Sequence, residues 1–172
     1  VQEIYRHPSV ATKVTISAGG RTVVTTPVHP FYVGEDGFRE VNDLTVNDLI
    51  YIYDVGENAL KPVLIDDMVY ETGSFEVYNL EVEGSHTFIA GDFAVHNKVL
   101  PPPCFTPDTL VTLASGGRIK IKDVQEGDVL ASFDRDNRVV PAVVKKVIHH
   151  PGPASILKLI AGDISVKATP QH

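Results

Sequence analysis

A chain of 172 residues, 43% of them hydrophobic, is long enough to bury one core and short for two ordinary domains. The formal charge of -7 comes without any block of basic residues, which argues against a nucleic-acid backbone or an anionic membrane as a partner. No apolar run approaches the roughly 20 residues that span a bilayer, Val1-Gln2-Glu3 has neither segment of a secretion signal, and the lone Cys104 rules out an internal disulfide framework.

In chain order, short β-branched and aromatic runs fall at residues 12–17, 21–25, 49–53, 75–82, 110–113, 129–133, 142–148 and 155–160. Between them lie turn signals: Gly19-Gly20, Gly34-Glu35-Asp36-Gly37, Asp134-Arg135-Asp136-Asn137 and Gly162-Asp163. No segment sustains a 3.6-residue apolar period, so the expectation is an all-β protein with minor, short helices. The clearest linker is Lys98-Val-Leu-Pro-Pro-Pro103, because consecutive prolines fix an extended conformation and offer a sheet no backbone donors. It divides the chain into residues 1–97, a linker at 98–103, and residues 104–172.

Two internal repeats carry more than any single strand. Residues 6–29 align with 149–172 without gaps at 9 of 24 identical positions, both copies ending in Thr-Pro-x-His. More faintly, residues 37–50 align with 117–130 through the shared pattern of an aspartate, an apolar residue and a second aspartate before a strand. The fainter repeat predicts two related subdomains packed about a pseudo-twofold axis.

From position 104, Cys-Phe-Thr-Pro-Asp-Thr-Leu-Val-Thr-Leu and the later Ile-Lys-Asp-Val-Gln-Glu-Gly-Asp-Val-Leu resemble the opening motif of Hint domains, the superfamily of inteins and bacterial intein-like domains. From position 76, Glu-Val-Tyr-Asn-Leu-Glu-Val-Glu-Gly-Ser-His-Thr-Phe-Ile-Ala-Gly-Asp-Phe-Ala-Val-His-Asn resembles the closing motifs, which end in His-Asn at the carboxyl-terminal junction. The family's Thr-x-x-His motif occurs twice, at Thr26 and His29 and at Thr169 and His172. The resemblance covers nearly the whole chain outside the linker and implies an all-β, horseshoe-like, pseudo-twofold Hint fold.

It also implies a single-turnover self-processing activity that needs no cofactor and no metal. Cys104 would attack the carbonyl of Pro103 to form a thioester, with His29 or His172 assisting the departing amine and Thr26 or Thr169 orienting the junction. Asn97 would cyclise onto its own carbonyl and release Lys98, with His96 polarising that carbonyl and His86 acting as a second donor or relay. The flanking polypeptide segments are the implied partners. His7 and His150, each before a proline, read as turn residues, and His149 as solvated. Asp66, Asp67, Glu81 and Glu83 read as polar strand faces and turns. The chain lacks Cys-x-x-Cys and His-x-x-x-His spacings, so a zinc site is not expected.

Three departures narrow what the resemblance implies. Lys98 stands where a splicing domain has Cys, Ser or Thr, which removes ordinary transesterification and fits the junction-cleaving bacterial domains. Pro103 precedes the nucleophile with a restricted tertiary amide. Asn79 stands where many members carry an aspartate. The order is also permuted: the closing half, residues 1–97, precedes the opening half, residues 104–172. Residues 104–172 and 30–97 number 69 and 68, together 137, about one minimal Hint domain, so one Thr-x-x-His segment is surplus. Either the surplus copy, 1–29 or 146–172, lies outside the fold, or the chain spans two members of a tandem array and its halves pair with neighbouring molecules. The permuted order would also allow the linker to leave as a cyclic peptide. The rival reading from another class is an unreactive Hint scaffold that serves as an assembly module. A Hedgehog-type domain is disfavoured, since such domains do not need a terminal His-Asn.

Overall fold

The computed structural model describes residues 10–97, 104–150, 157–161 and 164–168. The linker 98–103, His7, Thr169 and His172 lie outside the described residues. Fifteen strands are described: β1 Val10–Ala18, β2 Arg21–Thr25, β3 Pro30–Gly34, β4 Gly37–Glu40, β5 Leu49–Asp54, β6 Ala59–Phe75, β7 Val77–Val82, β8 Thr87–Ala90, β9 Phe93–His96, β10 Leu110–Thr112, β11 Arg118–Lys120, β12 Val129–Phe133, β13 Val139–His150, β14 Leu157–Ala161 and β15 Ile164–Ala168. The only helical pieces among the described residues are two 3-10 turns, Val41–Asp43 and Ile121–Asp123. The protein is all-β, as expected, and its antiparallel sheet curls into a horseshoe-like half-barrel.

The largest sheet runs β11-β10-β8-β9-β5-β6-β1-β2, with β3 joined to β9 and β4 to β3. A second sheet runs β12-β13-β7, and β14 and β15 pair as a third. Strand periodicity explains the inner face of β1: Val14, Ile16 and Ala18 are buried while Lys13, Thr15 and Ser17 are only partly so. The main core gathers Ile16, Phe31, Ile50, Leu80, Phe88, Phe93, Phe105 and Leu130. A smaller cluster of Tyr53, Ile89, Ala94, Ala131 and Phe133 packs on the other side of β8 and β9, so Thr87–Ala90 is buried at every position. That double burial is why β8 shows no polar alternation and escapes a reading based on period two.

The long β6 also exceeds its sequence signal. Two halves of it pair with different strands: Ala59 to Leu64 with β5, and Ile65 to Phe75 with β1. Pro62 falls in the half that β1 does not reach, where its missing donor costs no ladder bond.

The fainter repeat is realised in detail. The turn at 41–43 matches that at 121–123, and the extended residues before them, Glu40 and Lys120, have nearly equal angles, φ −67 with ψ 147 and φ −67 with ψ 140. Each turn leads to an aspartate that caps a backbone N–H three residues earlier, Asp48 for Thr45 and Asp128 for Gln125. The left-handed position between them is Asn47 (φ 72) in one copy and Gly127 (φ 95) in the other. The symmetry reaches further than the sequence alignment. Thr26-Pro27-Val28-His29 corresponds to Thr106-Pro107-Asp108-Thr109, with the bonds from the His29 N–H to the Thr26 carbonyl and from the Thr109 N–H to the Thr106 carbonyl alike.

The stronger repeat is realised as two hairpins of one register. β1 and β2 pair from Val14 opposite Thr25 to Ala18 opposite Arg21, and β14 and β15 from Leu157 opposite Ala168 to Ala161 opposite Ile164. Two expectations need correction. Residues 146–150 are not part of a segment outside the fold, because β13 pairs there with β7. For the same reason His150 is the last residue of a strand, opposite Val77, and not a turn residue.

Candidate functional site at the pseudo-twofold axis

The two halves meet where Cys104-Phe105 is sandwiched between β2 and β7. On one side the Thr26 N–H donates to the Cys104 carbonyl at 2.9 Å and the Thr106 N–H to the Val24 carbonyl at 3.3 Å, a reciprocal pair related by the pseudo-twofold. On the other side Phe105 and Tyr78 exchange two backbone bonds of 2.8 Å. Residue 105 is thus held on both edges, and its ring fills the core. This places the Cys104 amide, the nitrogen of the 103–104 peptide bond, at a fixed address: it donates to Thr26 Oγ1 at 2.9 Å. Thr25 Oγ1 donates to the Cys104 carbonyl at 2.9 Å.

Pro27 lies in the tight turn after β2, which the His29 N–H closes onto the Thr26 carbonyl at 3.1 Å. The His29 ring is fully buried in an aromatic box, with centroids 4.1 Å from Phe105, 5.9 Å from Phe31 and 6.4 Å from Phe88. Burial without charge compensation holds its pKa well below the usual imidazole value, and His96 pushes it the same way. The Cys104 thiol is buried as well, and desolvation pushes its pKa up to about 12. At neutral pH the pair is therefore a neutral imidazole and a protonated thiol.

The strand β9 ends at His96, and Asn97 follows with its N–H donating to the His86 carbonyl at 2.8 Å. His86 adopts a left-handed φ of 58, rare for a residue with a Cβ, and that bond helps hold it there. The His86 and His96 rings lie 6.3 Å apart, and Phe38 packs 4.8 Å from His96. Both histidines line a groove of about 420 Å³ walled by Phe38, Phe133 and Arg135.

Buried polar groups are normally satisfied, so exceptions point to places where something else dictates the residue. Among the described residues six buried side-chain polar atoms lack a hydrogen-bond partner. Four of them are Nδ1 and Nε2 of His29, Oδ1 of Asn79 and Oδ1 of Asn97. Of the other two, Asp92 Oδ1 sits in an ion pair 2.6 Å from Arg118.

Of the residues expected from sequence, Thr26 holds the Cys104 amide, His29 packs on the adjoining Phe105, and His86, His96 and Asn97 group together, with His96 also acting electrostatically on His29. Thr169 and His172 fall outside the described residues. His149, expected to be merely solvated, stacks on Tyr78 at 4.4 Å and bonds Glu76 at 2.7 Å. Asp66 receives the Gly19 N–H and Glu83 pairs with Lys145, in keeping with polar faces. Sequence reasoning missed Thr25 and Phe105. The available signal was Thr106-Pro107, which repeats Thr26-Pro27 and so predicts that the two segments pair. Among the described residues no group of three or more His, Cys, Asp or Glu side chains is placed to hold a metal.

No family model matches the chain. A 72-residue stretch is 39% identical to reverse gyrase of Thermococcus kodakarensis, covering 40% of this chain and 4% of that protein. The chain therefore resembles a small portion of a much longer protein.

Proposed function

We propose that this chain is a self-processing module of the Hint type that cleaves its own backbone at Asn97/Lys98 and Pro103/Cys104. The single observation that carries the reading is the Cys104 junction: its amide nitrogen is held by Thr26 Oγ1, and the buried His29 ring, packed on the adjoining Phe105, has no hydrogen-bond partner for either nitrogen among the described residues.

At this junction the thiol proton passes to neutral His29, which its lowered pKa keeps available as a base at neutral pH. Sγ bonds to the Pro103 carbonyl carbon, the C–N bond breaks, and the proton goes from His29 to the leaving Cys104 nitrogen, giving a thioester that water or an added thiol opens. Thr26 holds that nitrogen in place and Thr25 fixes the following carbonyl. At the other end Nδ2 of Asn97 attacks its own carbonyl carbon. The bond to Lys98 breaks, the nitrogen of Lys98 takes up the proton, and a succinimide remains. His96 is suited to polarise the carbonyl. Lys98 has no side chain that accepts an acyl group under a transesterification scheme, so the products are cleaved chains. A short match within a far longer protein accords with a module embedded in a host polypeptide.

Intact mass spectrometry of fresh protein over hours, beside Cys104→Ala and Asn97→Ala variants, tests this reading. Breaks at both junctions, each lost in the matching variant, support it. A stable precursor refutes it and favours the unreactive assembly module, a reading consistent with the fully buried, protonated thiol.

A further inference from the structure

The pairing along β6 and β7 shows a coincidence that the cleavage reading does not use. Only Glu76 separates β6 from β7, and strands from opposite ends of the chain pair on either side of it. β13 reaches His150 opposite Val77, and β1 starts at Val10 opposite Phe75. The stronger repeat aligns Val10 with Pro153, three residues past His150. The strand that would continue β13 along β6, allowing one bulged residue, is therefore β14. The place is taken instead by β1, whose own pairing has an irregularity between Val10 and Thr12.

We propose that the β14–β15 hairpin is an alternative occupant of the β6 edge and exchanges with the β1–β2 hairpin within one chain. Register and sequence pattern fit the slot. The positions of the buried Val14, Ile16 and Ala18 correspond to Leu157, Leu159 and Ala161, and those of Val23 and Thr25 to Val166 and Ala168. The outward Thr15 and Val24 correspond to Lys158 and Lys167. A Cβ at Gly19 would meet Val63 at 3.0 Å, and the repeat retains glycine there as Gly162. Gly20, with open space around it, corresponds to Asp163, a residue that tolerates a left-handed turn. What β14–β15 lacks is the Thr25 hydroxyl that donates to the Cys104 carbonyl and the Arg21 that pairs with Asp92. These losses favour β1–β2 as the resident while leaving the apolar packing matched. β14 follows β13 in the same chain, so exchange needs no second molecule.

The inference rests on strand pairing and stands or falls apart from the chemistry, so it is tested in the Cys104→Ala/Asn97→Ala chain, which lacks both reacting groups. Thr15 lies opposite Val69, and Lys158 occupies the corresponding register position. Antiparallel partners lie within disulfide reach. Val69→Cys with Thr15→Cys reports the resident hairpin, and Val69→Cys with Lys158→Cys the exchanged one. Under mild oxidation both pairs are expected to link in monomeric protein, the second more slowly. A 15–69 link without any 69–158 link, or a 69–158 link found only in dimers, overturns the proposal. Independently, hydrogen exchange in the non-processing chain without added cysteines should show β1 amides opening about tenfold or more faster than those of β8 and β9. Equal protection of the two overturns it as well.

Discussion

Replacing His29 with leucine should make the protein more stable and disable cleavage at Cys104. The side chain is fully buried and neither ring nitrogen has a hydrogen-bond partner among the described residues. Removing a buried unsatisfied polar group relieves about 1–3 kcal/mol, and leucine has a similar volume and matches the surrounding Phe31, Phe88 and Phe105. Part of that gain is lost to imperfect fit against the aromatic box, which leaves about 1–2 kcal/mol at pH 7. In a chain of this size that corresponds to about 2–4 °C in Tm per kcal/mol. The same substitution should remove an acid sensitivity. A histidine whose folded pKa lies below its unfolded value binds more protons when unfolded. Its penalty is absent well above the unfolded pKa and grows as pH falls through it, by up to about 1.4 kcal/mol per pH unit, until the folded pKa is reached. As pH falls from 7 to 5 the parent should thus lose stability that His29→Leu does not lose through this group. Urea unfolding at both pH values, in the Cys104→Ala/Asn97→Ala background so that both chains stay intact, measures each term. A His29→Leu chain less stable than its parent at pH 7, with an unchanged acid slope, would refute the assignment of His29 as a neutral, unsatisfied group.

Thr26→Val, which keeps the shape and removes the acceptor of the Cys104 N–H, should slow cleavage at 103–104 by about 10- to 100-fold while leaving the Asn97 break intact, as read by mass spectrometry. It should also cost about 1–3 kcal/mol by stranding a buried donor. The rate of the 103–104 break should stay level from pH 7 to 9, because the neutral His29 and the protonated thiol that exchange the proton already hold those states across that range; a tenfold rise per pH unit would show that a preformed thiolate, and not transfer to His29, carries the attack. Phe105→Ala should cost about 3–5 kcal/mol, since its ring is fully buried, and chemical denaturation of the non-processing chain checks it.

The sequence by itself determined the all-β class and the two repeats, and it singled out Thr26, which the fold sets against Cys104, and His86, His96 and Asn97, which the fold groups together. Those follow from local features: short apolar runs such as 129–133, turn pairs such as Gly19-Gly20, and residue types placed in recognisable contexts. Fainter cross-chain matches such as Thr26-Pro27 with Thr106-Pro107 were present but carried no meaning until the backbone showed them exchanging hydrogen bonds across a pseudo-twofold. Only the tertiary structure decided how long the strands are. β6 takes its 17 residues from having two successive partners, and β8 is buried on both faces, so neither keeps an alternating pattern. Tertiary packing alone also sets the protonation of His29 and Cys104. A histidine and a cysteine read from sequence carry ordinary pKa values. Their burial beside Phe105, fixed by strands that lie about 80 positions apart in the chain, shifts the histidine down and the thiol up. The choice between two hairpins of identical register was likewise beyond the sequence, because both satisfy the same apolar pattern and only pairing along β6 distinguishes the resident.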